Sequence, residues 1–249
     1  MKNTDVHCKE SIIKSVVMVS GIAIVSKVIG FAKSMIQAFY FGSTLETDAF
    51  NMAYGVVADV IYMFTTAIAV AFVPLYVQKK CNDGNQKTFI DTSRIVTALG
   101  VFSVIGIILL EIGAGLVFRI IAPTYSGEQF DNTVFFFRIM VFGVFFALET
   151  NLFQNILNSE RQYGYSSVTS IINSVVLILF IVLGYHTIDI YSLVIAVPIS
   201  FFIQWICLYI KGKKYGRISF RYGVWDESVR LLILQAIPIL LSNATVEIN

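Results

Sequence analysis

Residues 26–50 read SKVIGFAKSMIQAFYFGSTLETDAF, and they carry two lysines, Lys27 and Lys33, inside a run from Ser11 to Phe41 that is otherwise apolar enough to cross a bilayer. An ionisable side chain at membrane depth costs about 3 kcal/mol or more, so it normally faces a protein interior or a water-filled cavity. The two lysines are therefore expected to face a central cavity and to bind something anionic. Six positions separate them, which puts them about 240° out of phase on a helix and about 9 Å apart along its axis. They cannot share one narrow face, but both can reach one wide cavity. The bland alternative for either is a pairing with an acid of a neighbouring helix, or snorkelling of its stem.

The rest of the chain has the same character. Of its 249 residues 57% are hydrophobic and 14% charged, and the mean hydropathy is +0.77. A soluble domain carries about 25% charged residues. Here the charges cluster between apolar runs of about 20 residues or more, the length that crosses about 30 Å of hydrocarbon. The chain is thus expected to be all-α and polytopic in a membrane. The apolar pattern predicts helices over about 11–41, 48–77, 95–121, 131–157, 163–185 and 190–210, with a last apolar run from Leu231 to Leu241.

Basic residues concentrate in the N-terminus, 78–94, 160–161 and 211–221, while the segments 42–47, 122–130 and 186–189 hold no lysine or arginine. Short cytoplasmic loops carry the positive excess, so this alternation predicts a cytoplasmic N-terminus. A net charge of +2 points to no nucleic-acid partner. Cys8, Cys81 and Cys207 and the histidines His7 and His186 stand apart from one another, in no metal-ligand spacing. No catalytic motif occurs either, and so no enzyme, metal or cofactor is expected.

Other polar residues fall within the spans. Thr47 or Asp48 caps the second helix, where an acid favours the positive end of the dipole, or Asp48 acts at a gate. Asp59 is the best local partner for a lysine of the first helix. Glu149 and Asn151, with Thr150, Gln154 and Asn155, make the inner half of the fourth helix polar, as a cavity wall or as interhelical hydrogen bonds. Gly21, Gly30, Gly100, Gly106, Gly113 and Gly115 are expected to permit close helix contact.

Ser26, Lys27, Gly30, Phe31, Lys33, Phe41, Gly42, Thr47, Asp48, Ala49 and Phe50, together with AFVPLYVQKK at 71–80 and PILLSNATVEIN at 238–249, resemble the MurJ (MviN) lipid II flippases of the multidrug/oligosaccharidyl-lipid/polysaccharide exporter superfamily. The resemblance implies fourteen helices in two six-helix lobes plus two, around a cationic cavity open alternately to each side of the bacterial cytoplasmic membrane. On that pattern, residues 1–221 are the N-terminal lobe and 222–249 the start of the second, expected to be cut short, with the C-terminal lobe as the missing partner. It also implies that Lys27 and Lys33 bind the pyrophosphate of a lipid-linked glycan, that Asp48 and Asp59 gate or form ion pairs, and that the prenyl tail stays among membrane lipids. Both basic motif positions are lysine where the family has arginine, and VVADVIYMF at 56–64 lacks the family's Pro-Asn pair. Lysine keeps the charge and loses the planar fork that grips phosphate bidentately. Three alternatives stay open: a flippase for another glycan, a drug or cation exporter leaning on Asp59, and a membrane scaffold that transports nothing.

Overall fold

The computed structural model describes residues 2–247, and within them the side chains of 17, 19–169 and 171–243. Six α-helices follow one another: α1 (Lys2–Phe41), α2 (Leu45–Ile121), α3 (Gly127–Ser159), α4 (Tyr163–Ile188), α5 (Tyr191–Gly212) and α6 (Glu227–Glu247), with a short 3₁₀ turn over Phe220–Tyr222. No strand occurs among the described residues. Helices α1 to α5 are each long and apolar enough to cross a membrane. The chain is an all-α, multi-pass membrane protein.

The sequence reading separates two helices by a basic connection over 78–94, and the structure corrects this. Helical geometry runs through that segment and breaks only at Gly84, where φ is 76° and ψ is 174°. Helix α2 is therefore a hairpin of two arms, 45–83 and 85–121. The charged residues of 78–94 have no reason to leave helical geometry once their side chains reach water; only the reversal itself needs a left-handed φ, which glycine adopts without strain.

Helix α3 is the centre. It packs against both arms of α2 on one side and α5 on the other, α4 packs on α5, α1 on α4, and α6 on α2. Phe118, Phe136, Phe137, Met140, Leu152 and Phe153 are fully buried in this core. Phe135 and Phe142 of α3 are exposed at 50% and 55%, so the helix divides its phenylalanines between the core and the surface.

Of the glycines the sequence suggested, Gly100 meets a neighbouring helix, with Glu149 and Phe145 of α3 at 3.4 and 3.5 Å from where its Cβ would stand, and the tighter approaches occur at other glycines. Gly21, Gly30, Gly106, Gly113 and Gly115 have open space where a Cβ would stand. A Cβ on Gly212 would lie 2.4 Å from the Phe153 ring, one on Gly216 2.5 Å from Thr92 Cγ2, and one on Gly143 3.2 Å from Pro198 Cα. Which glycine meets a neighbour depends on helix rotation, and helix rotation is set by the packing of all faces together.

At the end that holds Gly84, polar side chains knit the chain together. Asp91, buried, pairs with Lys79 and Arg94; Arg94 also pairs with Asp226 and donates through Nε to the Tyr222 carbonyl at 2.8 Å. Lys79 donates to Ser228 Oγ at 2.6 Å. The backbone N–H of Arg217 donates to Ser93 Oγ at 3.1 Å, and that of Ser219 to Thr97 Oγ1 at 2.9 Å. Residues 213–228 are thereby strapped along the second arm of α2. Beside them, Lys80 pairs with Glu160, which also accepts from Tyr76 Oη at 2.6 Å.

Candidate functional site: a lysine cleft between α1 and α2

Helix α1 ends at Phe41, and Gly42, with φ 58°, turns the chain into α2. Thr44 is the N-cap: its Oγ1 accepts from the Thr47 N–H at 3.1 Å. Thr47 Oγ1 in turn donates to the Phe41 carbonyl at 3.3 Å, tying the two helix ends together. Neither Thr47 nor Asp48 is the cap, so Asp48 is left in the first turn of α2 with its carboxylate exposed. Ring contacts of Tyr40 and Phe41 with Tyr185, at 5.0 and 5.4 Å, hold the same end of α1 to α4.

This corner sets α1 beside the first arm of α2 and leaves a cleft of about 380 Å³, lined on the polar side by Lys33, Ser34, Gln37, Asn51 and Tyr54, and on the apolar side by Leu177, Leu193 and Val197. Lys33 Nζ lies 5.6 Å from the centre of the Tyr54 ring, close enough for a cation–π attraction. Gln37 Nε2 donates to Asn51 Oδ1 at 3.1 Å across the two helices. Among the described residues no carboxylate pairs with Lys33. The cleft thus offers a half-buried ammonium, amide groups from two helices and an aromatic face, a set suited to an anionic group attached to a polar body.

The expected site residues do not all meet here. Lys27 is exposed, stands outside this lining and makes no ion pair among the described residues; the six-residue spacing sends it around the helix, as the phase difference requires. Asp48 and Asp59 line an adjoining hollow of about 360 Å³ with Asn51, Gly55, Ile121 and Tyr125. Asp59 forms no ion pair with Lys27 or Lys33 in this structure, since it lies on the neighbouring stripe of α2 and is exposed. Glu149 is not on a cavity surface: it is 0% exposed, in the packed core between α3 and α2. Asn151 is half-buried, and its Oδ1 is taken by Asn155 Nδ2 at 2.9 Å, a hydrogen bond along one helix face. The sequence reading missed Gln37, Asn51 and Tyr54. Their signal was present, because Asn51 and Tyr54 lie one turn apart on the arm that must face α1, but the rotation of that arm was not.

Residues 37–249 match the family model described as "Lipid II flippase MurJ". The chain belongs to the lipid II flippase MurJ family. Its relatives include a probable lipid II flippase MurJ of Borreliella burgdorferi, 28% identical over 182 residues, which are 73% of this chain and 36% of that protein. Another, of Rickettsia prowazekii, is 23% identical over 244 residues, 96% of this chain and 48% of that protein. The chain spans about half or less of these curated relatives. Among solved structures it resembles a lipid II flippase MurJ in an inward closed conformation, with a TM-score of 0.70 and 20% identity, over 91% of this chain and 48% of that one. It also resembles a transporter of the same exporter superfamily from Pyrococcus furiosus, with a TM-score of 0.77 and 14% identity, over 94% and 53%. At such identities the two structures establish a shared fold. The stretch matched to the family model begins at Gln37, beyond both lysines, and of the two only Lys33 lines the cleft.

Proposed function

We propose that this chain forms the first lobe of a flippase that carries an undecaprenyl-pyrophosphate-linked glycan, lipid II, across the cytoplasmic membrane by alternating access. The single observation that carries the reading is Lys33: an ammonium at membrane depth, in a polar cleft between two helices, with no carboxylate beside it among the described residues. A retained charge in that position needs a ligand of opposite sign, and the pyrophosphate supplies one. Gln37 and Asn51 would exchange their mutual hydrogen bond for bonds to the phosphate or the first sugar. The prenyl tail stays in the lipid, and a second lobe closes the cavity from the other side.

In this reading the N-terminus and the strapped basic end face the cytoplasm, in keeping with their lysines and arginines. Lys27, exposed on the same helix, guides the anion toward Lys33. Asp48 and Asp59 border the cleft and pair with a lysine when the cavity closes. No bond is made or broken, so the chain acts as a transporter.

The test is complementation of a strain depleted of its lipid II flippase by the gene that carries this chain, beside Lys33→Ala and Lys27→Ala versions that reach the membrane at normal levels. Rescue by the wild type and loss with Lys33→Ala is the expected result. Rescue by Lys33→Ala removes the cleft from the mechanism. Failure of a well-inserted wild type moves the cargo to another lipid-linked glycan.

A further inference from the structure

Glu149 lies in α3 with 0% exposure, and among the described residues neither of its side-chain oxygens has a hydrogen-bond partner. It points at α2: a Cβ on Gly100 would stand 3.4 Å from Oε1 and 3.5 Å from the Phe145 ring. The carboxyl is thus packed against the helix face that carries Gly100. The Oγ1 of the adjacent Thr150 and the indole N–H of Trp205 on α5 are likewise buried without a partner.

The charged groups on the surrounding helices are engaged elsewhere. On α2, Lys79 and Arg94 serve Asp91, Lys80 serves Glu160, Lys87 serves Asp83, and Arg119 sits in the last turn. Arg138 of α3 faces Glu111 of α2 at 3.6 Å. Tyr165 of α4 donates to the Cys207 carbonyl of α5 at 2.8 Å, with Lys211 over its ring, and Tyr209 of α5 stacks on Trp205. His186 of α4 lies against Tyr185. Among the described residues no countercharge is directed at Glu149.

An unbalanced carboxylate here would have neither water nor a cation to offset its charge. The compensation has to arrive with the site's own ligand. A hard metal cation asks for about six oxygens, whereas the unpartnered oxygens here are two of Glu149 and one of Thr150. A proton asks for none. We propose that Glu149 is a proton-exchange site inside the first lobe, loaded and emptied as α2 and α3 shift against each other at Gly100. The site is separate from the Lys33 cleft and does not depend on what that cleft carries.

Infrared difference spectroscopy of the purified chain in lipid bilayers, titrated from acid to alkaline pH, tests this directly. The expected result is a protonated-carboxyl carbonyl band that gives way to carboxylate bands in the wild type, is lost in Glu149→Gln, is displaced in Glu149→Asp, and is unchanged in Glu111→Gln. A wild type without such a band, a band that survives in Glu149→Gln, or one that stays put through the whole titration overturns the proposal. If Glu149→Gln fails to insert, the presence or absence of the displacement in Glu149→Asp decides.

Discussion

The two ends of the α2 hairpin are built on opposite principles. At the Gly84 end Lys79 and Arg94 pair with Asp91, Lys80 with Glu160 and Lys87 with Asp83, and the 213–228 strap is fastened through Ser93, Thr97 and Arg94. At the Thr44 end the charges stand alone: Lys33, Asp48 and Asp59 border hollows without an ion pair among them. Paired groups hold a structure in one arrangement, while single ones are available to a ligand or to another conformation. The first end reads as a frame and the second as the working surface.

That contrast breaks most readily at Asp91. It is 5% exposed and serves two cations, so Asp91→Ala leaves both without their buried partner and should destabilise the protein by about 3 kcal/mol. A drop in the thermal unfolding midpoint in detergent checks this, and a double-mutant cycle with Arg94→Ala should show strong coupling. Next comes Gly216→Ala, whose new methyl would collide with Thr92 and its backbone; overpacking of that kind costs about 1–3 kcal/mol. The change should also detach the strap, read as faster amide exchange over 213–222. Thr44→Ala removes the cap at the other end and should cost about 1 kcal/mol, read by the same unfolding assay.

The smallest effect on stability is expected at Lys33. Lys33→Gln gives up only a cation–π contact at the edge of a cleft, worth about 0.5–1 kcal/mol, yet binding of a prenyl pyrophosphate should fall at least tenfold, measured by titration in nanodiscs. Equal losses of stability at Lys33 and Asp91 would erase the distinction between frame and working surface. A loss of binding with Lys33→Gln and none with Lys27→Gln would sharpen it to one lysine.

Much of this was legible from residue order. The apolar runs mark the spans because lipid length dictates their extent, and the alternation of basic segments marks one side of the molecule. Lys33 stood out because charge at membrane depth needs a reason. The Thr44 cap was obscured by two neighbouring candidates, Thr47 and Asp48, that a sequence cannot rank without the backbone of the turn. Glu149 read as a cavity wall because it begins a polar stretch; its actual setting follows from the rotation of α3, which turns Asn151 partly outward and Glu149 fully in.

What the sequence by itself determined is therefore one-dimensional: where helices run, which segments carry charge, and which polar residues lie too deep to be incidental. These follow from transfer of each residue between water and lipid, a property of the residue and its near neighbours. Only the tertiary structure decided that Gln37 meets Asn51, that Glu149 packs against Gly100, that the long basic segment is helical except at Gly84, and that 213–228 is strapped to α2. Those contacts join residues as far apart as Arg94 and Asp226, and they depend on how each helix is turned about its own axis. That rotation is settled by close packing of every face at once, so no local pattern encodes it.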